Sequence, residues 1–292
     1  VKVVDIAKKF GTPTYCYSYG QLKENISNFK KNFKSFSPLI CFAVKSNTNI
    51  NLIREIKKFG LGADVVSIGE LMMALKADIS PKKIVFSGVG KTSNEISYAI
   101  DKKILLINVE SENEAVLINK IAGSLKKKIA IGIRLNPDIN APTHKKISTG
   151  KAEDKFGLSK TNLISFCLNI NGLKNLRLHA ISVHIGSQIL NQRPYEDMLR
   201  VVDKIIKKSN YKFQYIDLGG GMGIDYAHNN NKFNLKKYSL NIQKFLKKNN
   251  SKIIFEPGRS IIGNTAILVS KIIYIKKGYK KDFVILDSAM ND

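Results

Sequence analysis

Cysteine is scarce in this 292-residue chain: Cys16, Cys41 and Cys167 are the whole set. Three thiols with no metal-ligand spacing suit a reducing compartment, where a buried thiol behaves as a small hydrophobe. Long apolar runs are missing too, and none approaches the length of a membrane span. Val1–Phe10 mixes Lys and Asp with apolar residues and lacks the core of a secretory signal. A cytoplasmic protein with no membrane partner is therefore expected. Acidic residues are few, 23 against 48 Lys and Arg, for a net charge of +25. Such an excess raises the question of nucleic acid. The lysines, however, fall at helix-surface spacing rather than in one patch interleaved with aromatics, so they read as solvated faces and no nucleic-acid partner is expected. Nonspecific polyanion binding at low salt would follow from charge alone. The sequence has no tandem motif repeat and no low-complexity linker. It does not begin with Met and stops abruptly at Asp292, so both ends are expected to be cut relative to the gene product.

What is present is a repeat of architecture. Short apolar runs alternate with helical patterns, as in successive βα units. The runs are Leu39–Val44, Gly62–Val66, Ile84–Ser87, Ile104–Val109, Ile129–Leu135, Leu178–His184, Tyr215–Leu218 and Ile253–Glu256. Between them, Ser67/Glu70, Thr92/Glu95 and Ser111/Glu114 fit the capping box that opens a helix. Leu52, Ile53, Ile56 and Phe59 form an apolar stripe closed by Gly60, and Met198, Leu199, Val202, Ile205 and Ile206 form another. An extra helix is predicted over Tyr19–Phe33. The pattern predicts an α/β fold, a TIM-like (β/α)8 barrel, with an open doubly wound sheet as the alternative. After Arg259 the pattern changes. Ile267–Ile275 and Phe283–Asp287 read as strands with no helix between them, the start of a second, β-rich domain that is not completed.

Functional residues of a barrel come from the C-terminal ends of its strands. Those ends carry Lys45, Asp64, Arg134, His184 with Gly186 and Ser187, Asp217 with Gly219, Gly220 and Gly221, and Glu256 with Gly258 and Arg259. So many polar residues closing apolar strands are hard to explain by packing. Lys45 follows an apolar strand, and partial desolvation there predicts a lowered pKa and a neutral amine ready for a Schiff base. Taken alone, Lys45 reads better as a lysine snorkelling to solvent. Gly219–Gly221 offers amides for close approach to an anion, with Gly258 nearby, or else a simple tight turn. Glu256 suits a pyridine nitrogen, which it would keep protonated, or else pairs with Arg134 or Arg259. His184 is a satisfied core histidine, or stacks on a flat ring across the barrel mouth from Lys45.

The same segments carry a resemblance. Gly11–Tyr15, Ala43–Asn47, Gly62–Ser67 with Gly69–Leu71, Asn136–Asp138, Thr143-His144, Ile147–Gly150, Lys155–Gly157, Ser182–Gln188, Leu218–Gly223 and Glu256–Asn264 together resemble the diaminopimelate decarboxylase family. That family lies within the alanine-racemase-like barrel group of pyridoxal phosphate enzymes. The likeness runs along essentially the whole chain, with small departures at Ser46 and in Asp287–Met290. The lysine and the glycine run are common to the whole barrel group. The strand-five loop and the Ser182–Gln188 segment are more particular to the diaminopimelate branch.

The resemblance implies a carboxy-lyase that converts meso-2,6-diaminopimelate to L-lysine and CO2, with pyridoxal 5'-phosphate held on Lys45. It implies that His184 stacks on the ring, Glu256 bonds its nitrogen, Arg134 lies near the ring hydroxyl and Asp64 sits near Lys45. Gly219, Gly220, Gly221, Gly258 and Ser187 would hold the phosphate, and Arg259 a substrate carboxylate. It also implies a homodimer with shared sites, no metal, and a C-terminal domain supplying a Cys-Glu pair. The expected division is 1–14 with the β-rich part, 15–262 the barrel, and 263–292 the start of the second domain. On this reading the chain binds cofactor but lacks residues for full turnover. Other readings are a decarboxylase of ornithine, arginine or carboxynorspermidine, or a non-catalytic pyridoxal phosphate barrel. Glu256 argues against a racemase, where an Arg faces the ring nitrogen.

Overall fold

A computed structural model describes residues 1–141, 147, 149–227, 229 and 232–292. Thr143, His144 and Ser148 of the quoted motifs lie outside the described residues. The chain opens with helix α1 (Val3–Phe10), strand β1 (Thr14–Tyr17) and helix α2 (Tyr19–Phe33), the last with the bounds expected. Eight parallel strands then close into a barrel in sequence order: β2 (Leu39–Ala43), β3 (Gly62–Val65), β4 (Ile84–Phe86), β5 (Leu106–Val109), β6 (Ile129–Leu135), β7 (Leu176–Val183), β8 (Tyr215–Asp217) and β9 (Lys252–Phe255). Helices α3 (Ile50–Lys58), α4 (Ile68–Lys76), α5 (Ser93–Asp101), α6 (Glu112–Ser124), α7 (Lys160–Asn169), α8 (Arg193–Ser209) and α9 (Leu235–Leu246) run between the strands. The barrel is therefore closed, and the open-sheet alternative is excluded.

Most predicted strands end one residue early, at the mouth. Val44, Val66, Ser87, His184, Leu218 and Glu256 all lie just past their strands. Their backbones are not idle: Ser87 N–H donates to Val65 O, Leu218 N–H to Ile254 O and Glu256 N–H to Gly219 O. The loops continue the ladder's bonding with bent geometry, which holds mouth residues firmly without extending the strands.

The three helix-start signals work, in two ways. Ser67, Thr92 and Ser111 each accept from the N–H of the Glu three residues on. The reciprocal half of the box forms only at Thr92, whose N–H donates to Glu95 Oε2 at 2.9 Å. Glu70 instead accepts from Val66 N–H, and Glu114 from Glu110 N–H, at 2.9 and 2.7 Å. Ser67 and Ser111 enter their helices at φ −155, against −79 for Thr92. The more extended entry brings the N–H before the cap into the carboxylate's reach, and so ties each helix to a strand end.

Outside the barrel the expected strand Ile267–Ile275 is two: β10 (Ala266–Val269) and β11 (Ile272–Lys276). Asp287 makes the break, its Oδ1 accepting from Ser270 Oγ and Lys271 N–H at 2.8 Å each. β11 pairs antiparallel with β12 (Phe283–Leu286), while β10 pairs antiparallel with β1, Thr14 opposite Val269 and Tyr17 opposite Ala266. The division expected after residue 14 thus falls inside β1.

Inside the barrel, side chains form two layers. Cys41, Val85, Leu106, Ala180 and Ile254 make an apolar cluster toward the N-terminal ends, each nearly or fully buried. One inward step further along the strands come Asp64, Ser87, Asn108, Ser182 and Asp217, all buried and all polar. Gly132 on β6 leaves the space into which Asn108 reaches, since a side chain there would collide with Asn108 Oδ1.

Candidate active site

The polar layer opens upward into a cavity of about 390 Å³ lined by Lys45, Ser46, His184, Ser187, Tyr226, Glu256, Gly258 and Arg259. Six strand ends were expected to carry chemistry, and the structure brings most of their residues to this one mouth. Lys45 sits on a 3-10 turn directly after β2. Its Nζ lies 2.9 Å from Asp64 Oδ2, with Asp64 fully buried and about half of the lysine side chain (49%) open to the cavity. Burial pulls the Lys45 ammonium down, but the charges of Asp64 and Glu256 and the Asp64 hydrogen bond outweigh it. The pKa ends above the ordinary lysine value, which corrects the expectation of a lowered one. The sequence argument counted desolvation and left out the carboxylates that a strand neighbour delivers.

His184 follows β7, and its Nδ1 accepts from Gly220 N–H at 3.2 Å. That bond puts the ring's proton on Nε2. Burial first, then Arg134 and Lys45, hold the imidazole well below its ordinary pKa, so it is neutral. Glu256 accepts from Ser87 Oγ at 3.3 Å. No arginine pairs with it among the described residues: Arg134 Nη1 is 2.7 Å from Glu110 Oε1, and Arg259 bonds Ser187 Oγ at 3.4 Å and Tyr226 Oη at 3.1 Å. Burial raises the Glu256 carboxyl well above the usual carboxylate range, with Asp217 and Asp64 adding to it and Lys45 offsetting a part.

The glycine run packs backbone against backbone. A side chain at Gly220 would strike Glu256 O and one at Gly221 would strike Gly186 O, so the loop after β8 lies flat on its neighbours. Gly219 and Gly220 spend their N–H groups on Asp217 Oδ1 and His184 Nδ1. The N–H groups of Gly221 and Gly258 have no backbone or side-chain acceptor among the described residues. Of the four glycines expected to hold a phosphate, these two keep an amide to offer.

Sequence reasoning gave no part to Ser87, Asn108, Glu110, Ser182 or Tyr226, and left Asp217 without a role. Asn108 Nδ2 lies within reach of Ser87 Oγ, Ser182 Oγ and Asp217 Oδ2, at 3.2, 3.3 and 3.0 Å. Glu110 holds Arg134 with one oxygen and Gly157 N–H with the other, at 2.7 and 2.9 Å. The available signal was period two: each of Ser87, Asn108 and Ser182 stands two residues after an apolar inward residue. Cys41, beneath this layer, has a thiol pushed well up by burial and by Glu256, which makes it inert. Among the described residues no cluster of three or more His, Cys, Asp or Glu is arranged to hold a metal, and no helix is long and apolar enough to cross a membrane.

The donor set fits a flat ring that bears a phosphate. Among the described residues, Asp64 Oδ1 is buried without a hydrogen-bond partner, two loop amides lack acceptors, and the Arg259 cation faces hydroxyls rather than a carboxylate. Comparison with known proteins agrees. Residues 19–263 match the family described as "Pyridoxal-dependent decarboxylase, pyridoxal binding domain". The chain is 40% identical over 295 residues to a diaminopimelate decarboxylase of Aquifex aeolicus, covering all of this chain and 70% of that one. It is 40% identical over 299 residues to that of Zymomonas mobilis, with 100% and 71% covered. The crystal structure of diaminopimelate decarboxylase from Helicobacter pylori complexed with L-lysine superposes with a TM-score of 0.95 at 39% identity, over 100% of this chain and 74% of that one. The enzyme from M. jannaschii, also in complex with L-lysine, gives 0.92 at 32% identity, over 100% and 71%. The chain belongs to the diaminopimelate decarboxylase family of pyridoxal-dependent decarboxylases.

Proposed function

We propose that the barrel mouth is a pyridoxal phosphate site at which meso-diaminopimelate loses CO2 to give L-lysine. One observation carries the reading: a lysine held by a buried carboxylate shares its cavity with Glu256, a neutral His184 and an arginine that has no carboxylate partner among the described residues. The relatives complexed with L-lysine support the product. When bound, the cofactor supplies an electron sink for the pair left at the reacting carbon as CO2 departs.

The chain's own residues then have these parts. Lys45 Nζ would be the point of covalent attachment, held in place by Asp64 Oδ2. Glu256 would accept from the ring nitrogen. His184, its tautomer set by Gly220, would lie against the ring face. Gly221 and Gly258, with Ser187, would receive the phosphate beside the packed turn of Gly219 and Gly220. Arg134, kept in place by Glu110, would stand by the ring hydroxyl. Arg259 receives a substrate carboxylate, which its fork of donors suits. We further propose a homodimer, supported by the exposed apolar residues Ile272, Tyr274, Phe283 and Leu286 on β11 and β12. A cytoplasmic setting is supported by three unpaired cysteines, two of them buried. The two small sheets outside the barrel support a second domain beginning near residue 263, with β1 as part of it.

The test is to add pyridoxal phosphate to the chain and to its Lys45→Ala variant. The visible spectrum is recorded, and borohydride-treated protein is mapped by peptide mass. A new visible band in the parent alone, with reduced pyridoxyl on the Lys45 peptide, is the expected result. A cooperatively folded chain that ignores the cofactor, or label on another lysine, overturns the site.

A further inference from the structure

Every strand of the barrel sends a polar or titratable group into the upper interior, and the charges do not balance. β2 leads to Lys45 on the turn after it, with the Cys41 thiol just beneath. β3 brings Asp64, β4 leads to Ser87, and β5 brings Asn108 and leads to Glu110. β6 brings Arg134, β7 brings Ser182 and leads to His184, β8 brings Asp217, and β9 leads to Glu256. Glu110 is matched by Arg134, and Asp64 by Lys45. His184 is neutral and the Cys41 thiol is uncharged. Asp217 and Glu256, from neighbouring strands, are left with no cation of their own in a region where they are 0% and 8% exposed.

The hydrogen bonds around them lead the same way. Asp217 accepts from Gly219 N–H at Oδ1 and from Asn108 Nδ2 at Oδ2, both at 3.0 Å. Ser87 Oγ bridges onward, taking Asn108 Nδ2 at 3.2 Å and donating to Glu256 Oε1 at 3.3 Å. The two carboxyl groups also stand close enough to hydrogen-bond each other. Two carboxylates this close, shielded from water, do not both ionise.

We propose that Asp217 is a positioning residue for the ring: it holds one proton in common with Glu256, and the pair releases that proton when a protonated pyridine nitrogen docks against Glu256. The proposal rests on the reading of the mouth as a pyridoxal phosphate site. The step balances simply. One O–H bond of the pair breaks, its proton goes to solvent, and the ionised Glu256 accepts the N–H of the ring. A ring that arrives with a bare nitrogen takes the proton instead, and none is released. Either way the ring sits protonated over an ionised carboxylate.

The first test needs no cofactor. Infrared spectra of the cofactor-free chain at neutral pH should contain the carbonyl stretch of a protonated carboxyl group, shifted by exchange into heavy water. That stretch should vanish in Glu256→Gln and weaken in Asp217→Asn, where burial still raises Glu256 but its neighbour's contribution is gone. The Asp217→Asn change is isosteric, and Asn108 Oδ1, which has no partner among the described residues, can turn to accept from the new amide. If that variant still fails to fold, Glu256→Gln alone decides the infrared test. The second readout is proton release on titration with pyridoxal phosphate, by calorimetry in buffers of different ionisation heat. Asp217→Asn should release fewer protons at neutral pH.

The third readout is the pH profile of cofactor affinity. Affinity should fall about tenfold per pH unit below the pKa of the pair. In Asp217→Asn that acid limb should move to lower pH, because Glu256, still raised by burial, has lost a neighbour that adds to the rise. A purely structural Asp217 would weaken binding by the same factor at every pH, and that result overturns the proposal. So does the absence of the protonated-carboxyl stretch, or its persistence in both variants. If the stretch is absent while Lys45 still takes up cofactor, the shared proton is refuted and the function stands. If the stretch is present while the folded chain ignores the cofactor, the docking step and the function fall together.

Discussion

Four strands of the barrel carry or lead into both of its interior layers, which differ in everything except backbone. Val85, Leu106, Ala180 and Ile254 face inward below, and the residues two steps on are Ser87, Asn108, Ser182 and Glu256. A strand turns alternate residues to the same face, so one inward step separates a dry plug from a set of interlocked polar groups. The lower layer stabilises the fold, at about 1.5–3 kcal/mol for each large apolar side chain buried. It also keeps water from reaching the upper layer from below. The upper layer is costly to bury and is tolerated because most of its polar atoms have partners, Asp64 Oδ1 and Asn108 Oδ1 being the exceptions among the described residues.

The comparison can be broken most severely from below. Leu106→Asn places an amide with no partner in the plug, next to the space the leucine filled. A loss of about 3–5 kcal/mol is expected from urea unfolding, and a loss below 1 kcal/mol would mean that the lower layer is not a dry core. A smaller effect is expected from Gly132→Ala, whose methyl group would collide with Asn108 Oδ1. It should lose about 1–3 kcal/mol, part of which is recovered when Asn108→Ala is added. Additive losses in that double-mutant cycle would show that the two residues do not touch.

The layers should also respond differently to pH. Asp217 and Glu256 have pKa values raised by burial in the folded chain, so their contribution to stability is fully present below the ordinary carboxylate range. It is lost as pH rises through the raised values. The melting temperature of the cofactor-free chain should therefore decline as pH climbs from the ordinary carboxylate range, and Asp217→Asn should flatten the decline. An unchanged slope in that variant would assign the decline to other groups. The smallest effect belongs to the shell outside both layers. Thr92→Ala removes the one complete capping box among the three helix starts and should cost about 1 kcal/mol, read as a shift in the urea midpoint.

Much of this was legible in the sequence, for identifiable reasons. Strands such as Ile129–Leu135 announce themselves because a strand buried on both faces is apolar along most of its length. Lys45, His184 and Glu256 stand out because they interrupt that pattern at its end. Ser87, Asn108 and Ser182 do not, since one short polar residue in or beside a strand also fits a solvated face, and only closure of the barrel turns it inward. Glu110 is invisible for another reason: its role is defined by Arg134 and Gly157, which are brought to it by the fold. The raised Lys45 pKa needed the Asp64 distance, because desolvation and a neighbouring carboxylate act in opposite directions and only geometry decides between them. β1 was missed because its partner, β10, lies on the far side of the whole barrel sequence.

That last pairing bears on how the molecule is made. Synthesis proceeds from the N-terminus at about 5–20 residues per second, and β1 emerges first while β10 follows all eight barrel strands. For that interval Thr14–Tyr17 is an unpaired strand on a growing chain, with Tyr15 and Tyr17 exposed even in the finished fold. The barrel must therefore be able to close with this sheet unformed. Once it has closed, it holds the two segments near each other, and the entropy lost in joining them is far smaller than for a free chain of the same length. The β1–β10 sheet is thus expected to be the last part of this region to form, and its absence is the mark by which a newly made barrel could be told from a mature one.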